Sequence, residues 1–246
     1  MDAQAPAKTG FERWQDRLSN AVGDVKWNAY DCEIQMAVNK FNQHLAGTPN
    51  YMPLDWQLIK AMVWTETGAM QAEWGIKPMQ IGVAGDPGLA SFLSGTEGGD
   101  LILPPAWKGR LTTGSVRVIP SHNIRAGIGY LLMRMANTEY KTLPAADSKI
   151  YEITIKPGDS MDKIARTHGS TTEHLKKLNP TANILRPGQT IKFQKASTQR
   201  SITSWRYIST SMIAQRYNGG GDPNYARKLD YALSLIRQGK TTACAQ

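Results

Sequence analysis

Tyr151-Glu-Ile-Thr-Ile-Lys-Pro-Gly-Asp-Ser160 opens a segment that Leu185-Arg-Pro-Gly-Gln-Thr-Ile191 closes, and the reading of what lies between decides the organisation of the chain. Tyr151, Ile153 and Ile155 alternate as on a half-buried strand, and Lys156-Pro157-Gly158 breaks it. Asp159 or Ser160 then caps a helix carrying Met161, Ile164 and Ala165, which Gly169 ends. Thr171 or Thr172 caps a second helix with Leu175 and Leu178, Asn179-Pro180 stops it, and Arg186-Pro187-Gly188 turns into a last strand with Ile191 and Phe193. The order is β-α-α-β. Residues 143–148 (Leu-Pro-Ala-Ala-Asp-Ser) read as a linker before the unit, which ends in the polar run 196–201. So small a unit buries little apolar area, so it is expected to lean on its host.

Both flanks of this unit show helical periodicity. Ile34, Val38, Phe41 and Leu45 recur at helical spacing, and residues 54–67 form an apolar-striped helix that starts after Pro53 and stops at Gly68. Beyond the insert, residues 201–217 and 224–236 repeat the pattern around Gly219-Gly220-Gly221, while the glycines and prolines of 81–120 predict loops. The expected fold class is α+β, a mainly helical domain at 1–147 and 198–246 with a small β-α-α-β domain inserted at 148–197.

The 246 residues are 41% hydrophobic and 20% charged, which excludes a disordered or collagen-like chain. A net charge of +9 favours a polyanionic partner such as nucleic acid, anionic lipid or cell wall. Nucleic acid is disfavoured, because no helix concentrates Lys and Arg and no aromatic-basic motif of the RNP kind occurs. Residues 1–10 are polar and lack an apolar core, so neither a signal peptide nor a membrane span is expected and export would use another route. Cys32 and Cys244 lack metal spacing and the four histidines form no HExxH cluster, so neither metal nor cofactor is expected. In an oxidising compartment the two cysteines could bridge, pinning the tail to an early helix; the other reading is a buried Cys32 and a free tail thiol.

Glu66 is the carboxylate that stands out. Ile59, Met62 and Val63 precede it by seven, four and three residues, so it ends an apolar stripe. Desolvation and the negative end of the helix dipole both push its pKa up, as suits a general acid at neutral pH. The other reading is an exposed glutamate at a frayed helix end.

Two resemblances extend these readings. The strings around Tyr151, Ile164-Ala-Arg, Leu175-Lys-Lys-Leu-Asn-Pro and Leu185 resemble the LysM family in order and spacing. This resemblance implies binding of N-acetylglucosamine-containing glycan through Gly158, Asp159, Ser160 and Met161, faced by Ile184, Leu185 and Arg186. The segment carries eight basic and four acidic residues over 151–195, a net charge of +4.

Ile59-Lys-Ala-Met-Val-Trp-Thr-Glu-Thr-Gly68, Pro78-Met-Gln-Ile81, Asn123-Ile-Arg-Ala-Gly-Ile-Gly-Tyr-Leu131 and Ala214-Gln-Arg-Tyr-Asn-Gly-Gly220 are similar to soluble lytic transglycosylases and goose-type lysozymes, in that family's order. The resemblance implies a lysozyme-like domain with Glu66 as catalytic acid/base, Thr67 in place of a serine, Gln80 lining the saccharide cleft, Asn123 opening a cleft helix and Tyr217 near the glutamate. Read alone, Tyr217 only caps the core with its hydroxyl and Asn123 is an N-cap after Pro120. Lys77-Pro78 stands where the family has Gly-Leu.

A hydrolase normally uses two carboxylates, whereas a lytic transglycosylase needs one. Glu73, Asp86, Glu97 and Asp100 are candidate second acids, with Glu73 and Asp86 favoured because they flank Gln80. The expectation is a muramidase acting on the β-1,4 bond of peptidoglycan glycan strands, by lytic transglycosylation or by hydrolysis. The alternative is a wall-binding protein without catalysis. Delivery to the periplasm as a type VI secretion effector, with an immunity protein or secretion component as partner, is expected ahead of a phage lysis enzyme.

Overall fold

The computed structural model describes residues 7–146, 149–239 and 244. The polar start at 1–6, the boundary expected at Asp147 and Ser148, and the tail residues 240–243 lie outside them. The fold is mixed α+β, with two small two-stranded sheets, and the chain divides into two compact units, Met1–Asn137 with Ile202–Gln246, and Thr138–Ser201.

In the first unit, α1 (Gly10–Ser19) starts at a capping box in which Thr9 and Glu12 satisfy each other's backbone N–H groups. α2 (Asp31–Leu45) buries Ile34, Val38, Phe41 and Leu45, the stripe read from the sequence. α3 (Trp56–Glu66) is capped by Asp55 and buries seven consecutive residues from Leu58 to Trp64, so it is the central helix rather than a one-faced one. Lys60 is among them; its ammonium pairs with Asp31 at 2.8 Å and so is not left as an uncompensated charge.

Residues 81–120 depart from the loops expected. They hold α4 (Gly88–Ser94), α5 (Gly99–Ile102) and α6 (Thr113–Val118), which bury Leu89, Phe92, Ile102 and Val116. Glycine and proline cut this stretch into one- and two-turn helices, and burial of those side chains holds each piece. α7 (Pro120–Met135) follows with proline at its first turn. A Cβ on Gly127 would lie 2.7 Å from that of Met79, so this glycine lets the Pro78–Ile81 turn pack onto bare helix backbone.

β1 (Ala136–Pro144) then leads into the second unit, where β2 (Tyr151–Thr154), α8 (Met161–Thr167), α9 (Thr172–Leu178) and β3 (Thr190–Phe193) give the β-α-α-β order expected. β2 and β3 are antiparallel, with Tyr151 opposite Phe193 and Ile153 opposite Ile191. Ser160 and Thr171 are the caps. Ile155, Ile164, Ala165, Leu175, Ala182 and Ile191 form a core of its own.

β4 (Ala196–Trp205) pairs with β1, and α10 (Thr210–Arg216) and α11 (Tyr225–Gln238) complete the first unit. The linker expected at 143–148 is occupied as far as Pro144 by β1, and the polar run at 196–201 belongs to β4. Residues 201–217, expected as one helix, are the end of β4 and then α10, which starts where Ser209 accepts a hydrogen bond from the Met212 N–H. Strand pairing overrides the weak helical periodicity of Ser201-Ile-Thr-Ser-Trp205, whose Ile and Thr are β-branched. Cys32 on α2 is disulfide-bonded to Cys244, with Cα atoms 5.4 Å apart. Among the described residues no helix is long and apolar enough to cross a membrane.

Candidate functional site

α3 ends at Glu66 because Gly68, at φ +72°, turns the chain away; a Cβ there would meet the Trp27 ring at 2.8 Å. Beside that helix end lies the Lys77–Gln80 turn, closed by the Gln80 N–H donating to the Lys77 carbonyl at 3.0 Å, with Gln80 at φ +51°. Three side chains hold the turn. The Thr67 hydroxyl donates to the Pro78 carbonyl at 2.6 Å, and the Tyr217 hydroxyl donates to the Met79 carbonyl at 2.8 Å. Asn123 accepts from the Met79 N–H at 2.9 Å and donates to the Ile81 and Val116 carbonyls, each at 3.0 Å. Asn123 is fully buried in the first turn of α7, and it is Ile119, not Asn123, that occupies the N-cap position. Its amide is spent on backbone, so it positions the turn that carries Gln80.

Glu66 itself is half-buried. The Tyr225 hydroxyl, at the head of α11, donates to its Oε1. Burial pushes the Glu66 pKa up to about 7; Asp222 adds to the rise, while the Tyr225 hydrogen bond and Lys228 oppose it. Burial likewise raises the pKa of Tyr217 and Tyr225 well above the usual phenol value, so both remain neutral donors.

Two cavities, of about 320 and about 290 Å³, meet at Glu66 and Gln80, which line both. The first is bounded by α1 and α11 through Trp14, Arg17 and Lys228, and Glu73 also lines it. The second is bounded by Asp86, Tyr130, Tyr217 and Asn218. Glu73 and Asp86 are exposed and line one lobe each. Glu97 and Asp100 line neither; Glu97 pairs with Arg134 at 3.3 Å. A larger cavity of about 450 Å³, lined by Tyr51, Leu58, Trp205 and Ile208, has Asp55 as its only acid, paired with Arg237 at 3.0 Å.

The sequence reading thus named Glu66, Thr67, Gln80, Asn123 and Tyr217, and the fold gathers all five at one turn. It missed Tyr225, Arg17 and Lys228. Tyr225 leads the stripe Tyr225, Leu229, Ala232 and Ile236; a phenol opening an otherwise aliphatic stripe was the signal available. Among the described residues no group of three His, Cys, Asp or Glu side chains is placed to hold a metal ion.

In the second unit the two loops adjoin. The Gly188 N–H donates to the Ile155 carbonyl at 2.9 Å and the Ile155 N–H to the Gln189 carbonyl at 2.7 Å, which sets the 184–189 turn against the end of the first strand. There Gly158 takes φ +80°, and Asp159 accepts from the Lys156 N–H at 2.9 Å and pairs with Lys163 at 3.1 Å. That backbone hydrogen bond is the main cause lowering the Asp159 pKa. Met161 and Leu185 pack on the small core, Ile184 is 75% exposed, and the Arg186 N–H donates to Gln189.

Residues 153–193 are a LysM domain. The match to that family model carries a functional implication, binding of peptidoglycan or related glycan, and the LysM loops just described are where the sequence placed it. Comparison with curated proteins and with solved structures gave no match to the chain.

Proposed function

We propose that the chain is a peptidoglycan-cleaving muramidase that acts on the β-1,4 bond by lytic transglycosylation, with Glu66 as general acid and then base and the LysM domain holding it on the glycan. One observation carries this reading: Glu66 lies where two cavities meet, so a glycan laid across both would place a glycosidic bond over a carboxyl with a pKa of about 7. At neutral pH such a group is populated in both protonation states, as a residue that first gives and then takes a proton requires.

In the proposed reaction the Glu66 carboxyl protonates the leaving glycosidic oxygen while the substrate's acetamido oxygen bonds to C1. Glu66, now a carboxylate, takes the proton of the sugar's 6-hydroxyl as that oxygen replaces the acetamido group on C1, leaving a 1,6-anhydro ring. Tyr225 steadies the carboxylate through its hydrogen bond. Two linked binding sites on one strand raise the effective concentration of the glycan at the cleft. The Cys32–Cys244 disulfide fits action in an oxidising compartment such as the periplasm.

A hydrolytic second reading rests on Glu73 and Asp86, each of which lines one of the two lobes that Glu66 also lines, either of them serving as base for water. Mass spectrometry of digested peptidoglycan separates the two. Anhydro ends with little loss in both Glu73→Gln and Asp86→Asn support the transglycosylase, and reducing ends with near-total loss in either variant support the hydrolase. Wild-type cleavage by a folded Glu66→Gln protein would overturn both, since loss of the proton transfer should cost roughly 10² to 10⁴-fold in rate.

A further inference from the structure

The two lobes of the cleft differ in charge. The lobe beside α1 is lined by two cations, Arg17 and Lys228, whereas the lobe beside Tyr130 is lined by none and has Asp86 as its own acid. Lys228 is committed, because it pairs with Asp222 at 2.6 Å and lies 5.6 Å from the centre of the Trp14 ring. Arg17 makes no ion pair among the described residues, even with Glu73, the exposed acid of the same lobe. Its backbone is nevertheless fixed. α1 is capped by Thr9, Trp14 stacks on Phe11 and meets the edge of Tyr231, each at 6.0 Å, and Leu18 is buried. Arg17 stands one turn beyond Trp14 on the same helix and lines the cavity, so the anchored helix presents an exposed guanidinium without an ion pair at the wall of the cleft.

We infer that the α1 lobe is an anion-recognising subsite in which Arg17 takes the free carboxylate on the lactyl arm of a muramoyl sugar that carries no stem peptide, while the cation-free lobe takes the neutral N-acetylhexosamine. A planar guanidinium suits a carboxylate because it can donate two parallel hydrogen bonds. The inference rests on the reading of the cleft as a glycan site and adds a consequence to it. In a peptide-free strand of alternating anionic and neutral sugars that runs through the cleft in one direction, fixing the anionic one on the α1 side of Glu66 leaves only one of the two bond types over the carboxyl. Arg17 is then a specificity-determining residue that selects which bond is cut.

The test uses the full chain as Glu66→Gln, so that no cleavage intervenes, with and without Arg17→Gln. All seven tryptophans lie outside the second unit, so indole N–H signals in NMR report the cleft-bearing unit alone, free of glycan bound by LysM. The probes are chitotetraose, which is neutral, a peptide-free N-acetylmuramic acid tetrasaccharide with free lactyl carboxylates, and a disaccharide whose carboxylates lie on the stem peptide. Arg17→Gln is expected to weaken the tetrasaccharide about tenfold, the scale of one charge-assisted contact, and to leave chitotetraose unchanged. A loss confined to the stem-peptide probe would place the recognised carboxylate on the peptide and overturn the lactyl assignment. Equal effects on neutral and anionic probes, or none, would overturn the inference while the cleft reading stands. Indole signals unmoved by every probe would overturn the cleft reading, and the inference with it.

Discussion

Replacing Glu66 with glutamine is expected to stabilise the protein at alkaline pH and not at acidic pH. The carboxyl has its ordinary value of 4.5 in the unfolded chain and about 7 in the fold, chiefly because burial penalises the charge. Between those values the folded state binds more protons than the unfolded one, so stability falls as pH rises from about 4.5 through about 7 and is level above that. At about 1.4 kcal/mol for each tenfold change in proton affinity, the ionised carboxylate costs folding about 3 kcal/mol at pH 8. Glutamine removes the charge but keeps an oxygen that accepts from Tyr225, so most of that cost should be relieved. Urea unfolding followed by tryptophan fluorescence at pH 4 and pH 8 measures it, since every tryptophan lies in the unit that carries Glu66. The variant should match wild type at pH 4 and exceed it by up to about 3 kcal/mol at pH 8, a rise in Tm of about 6 to 10 °C. Equal stability at pH 8, or the same difference at both pH values, would refute an ionised carboxylate desolvated by the fold.

Tyr225→Phe removes the hydrogen bond that lowers the Glu66 pKa. The alkaline limb of the kcat/KM profile against soluble glycan should therefore move to higher pH, and a shift to lower pH would contradict the assigned contact. Asn123→Ala leaves the Met79 N–H and the Ile81 and Val116 carbonyls buried without their partner. A loss of about 3 to 5 kcal/mol in chemical denaturation is expected, and a loss under 1 kcal/mol would show that Asn123 does not hold the turn. Opening the Cys32–Cys244 disulfide, which spans 212 residues of sequence, should destabilise the protein by at most about 5 kcal/mol. Thiol counting on the oxidised, denatured protein should find no free thiol.

The β-α-α-β unit was legible in the sequence because its signals are local: alternation at Tyr151, Ile153 and Ile155, a cap at Ser160, breaks at Pro157-Gly158 and Pro187-Gly188. The helix ending at Glu66 was legible for the same reason, with Pro53 before it, Gly68 after it and apolar residues between. Strand β4 was not, since Ser201-Ile-Thr-Ser-Trp205 becomes a strand only by pairing with β1, a partner about sixty residues earlier in the chain. The helices of 81–120 were hidden because each is too short to show a period and is held by burial of Leu89, Phe92, Ile102 and Val116 rather than by propensity. The disulfide stayed open, because two cysteines in a sequence carry no information on the distance between them. Glu66 as a partly desolvated acid could be read from its place on an apolar stripe. That Asn123 clamps a turn, that Tyr225 reaches the carboxyl across 159 residues of sequence, and that Arg17 walls one lobe alone are products of tertiary packing, because a side chain's hydrogen-bond partner and its access to solvent are set by elements that no local spacing relates.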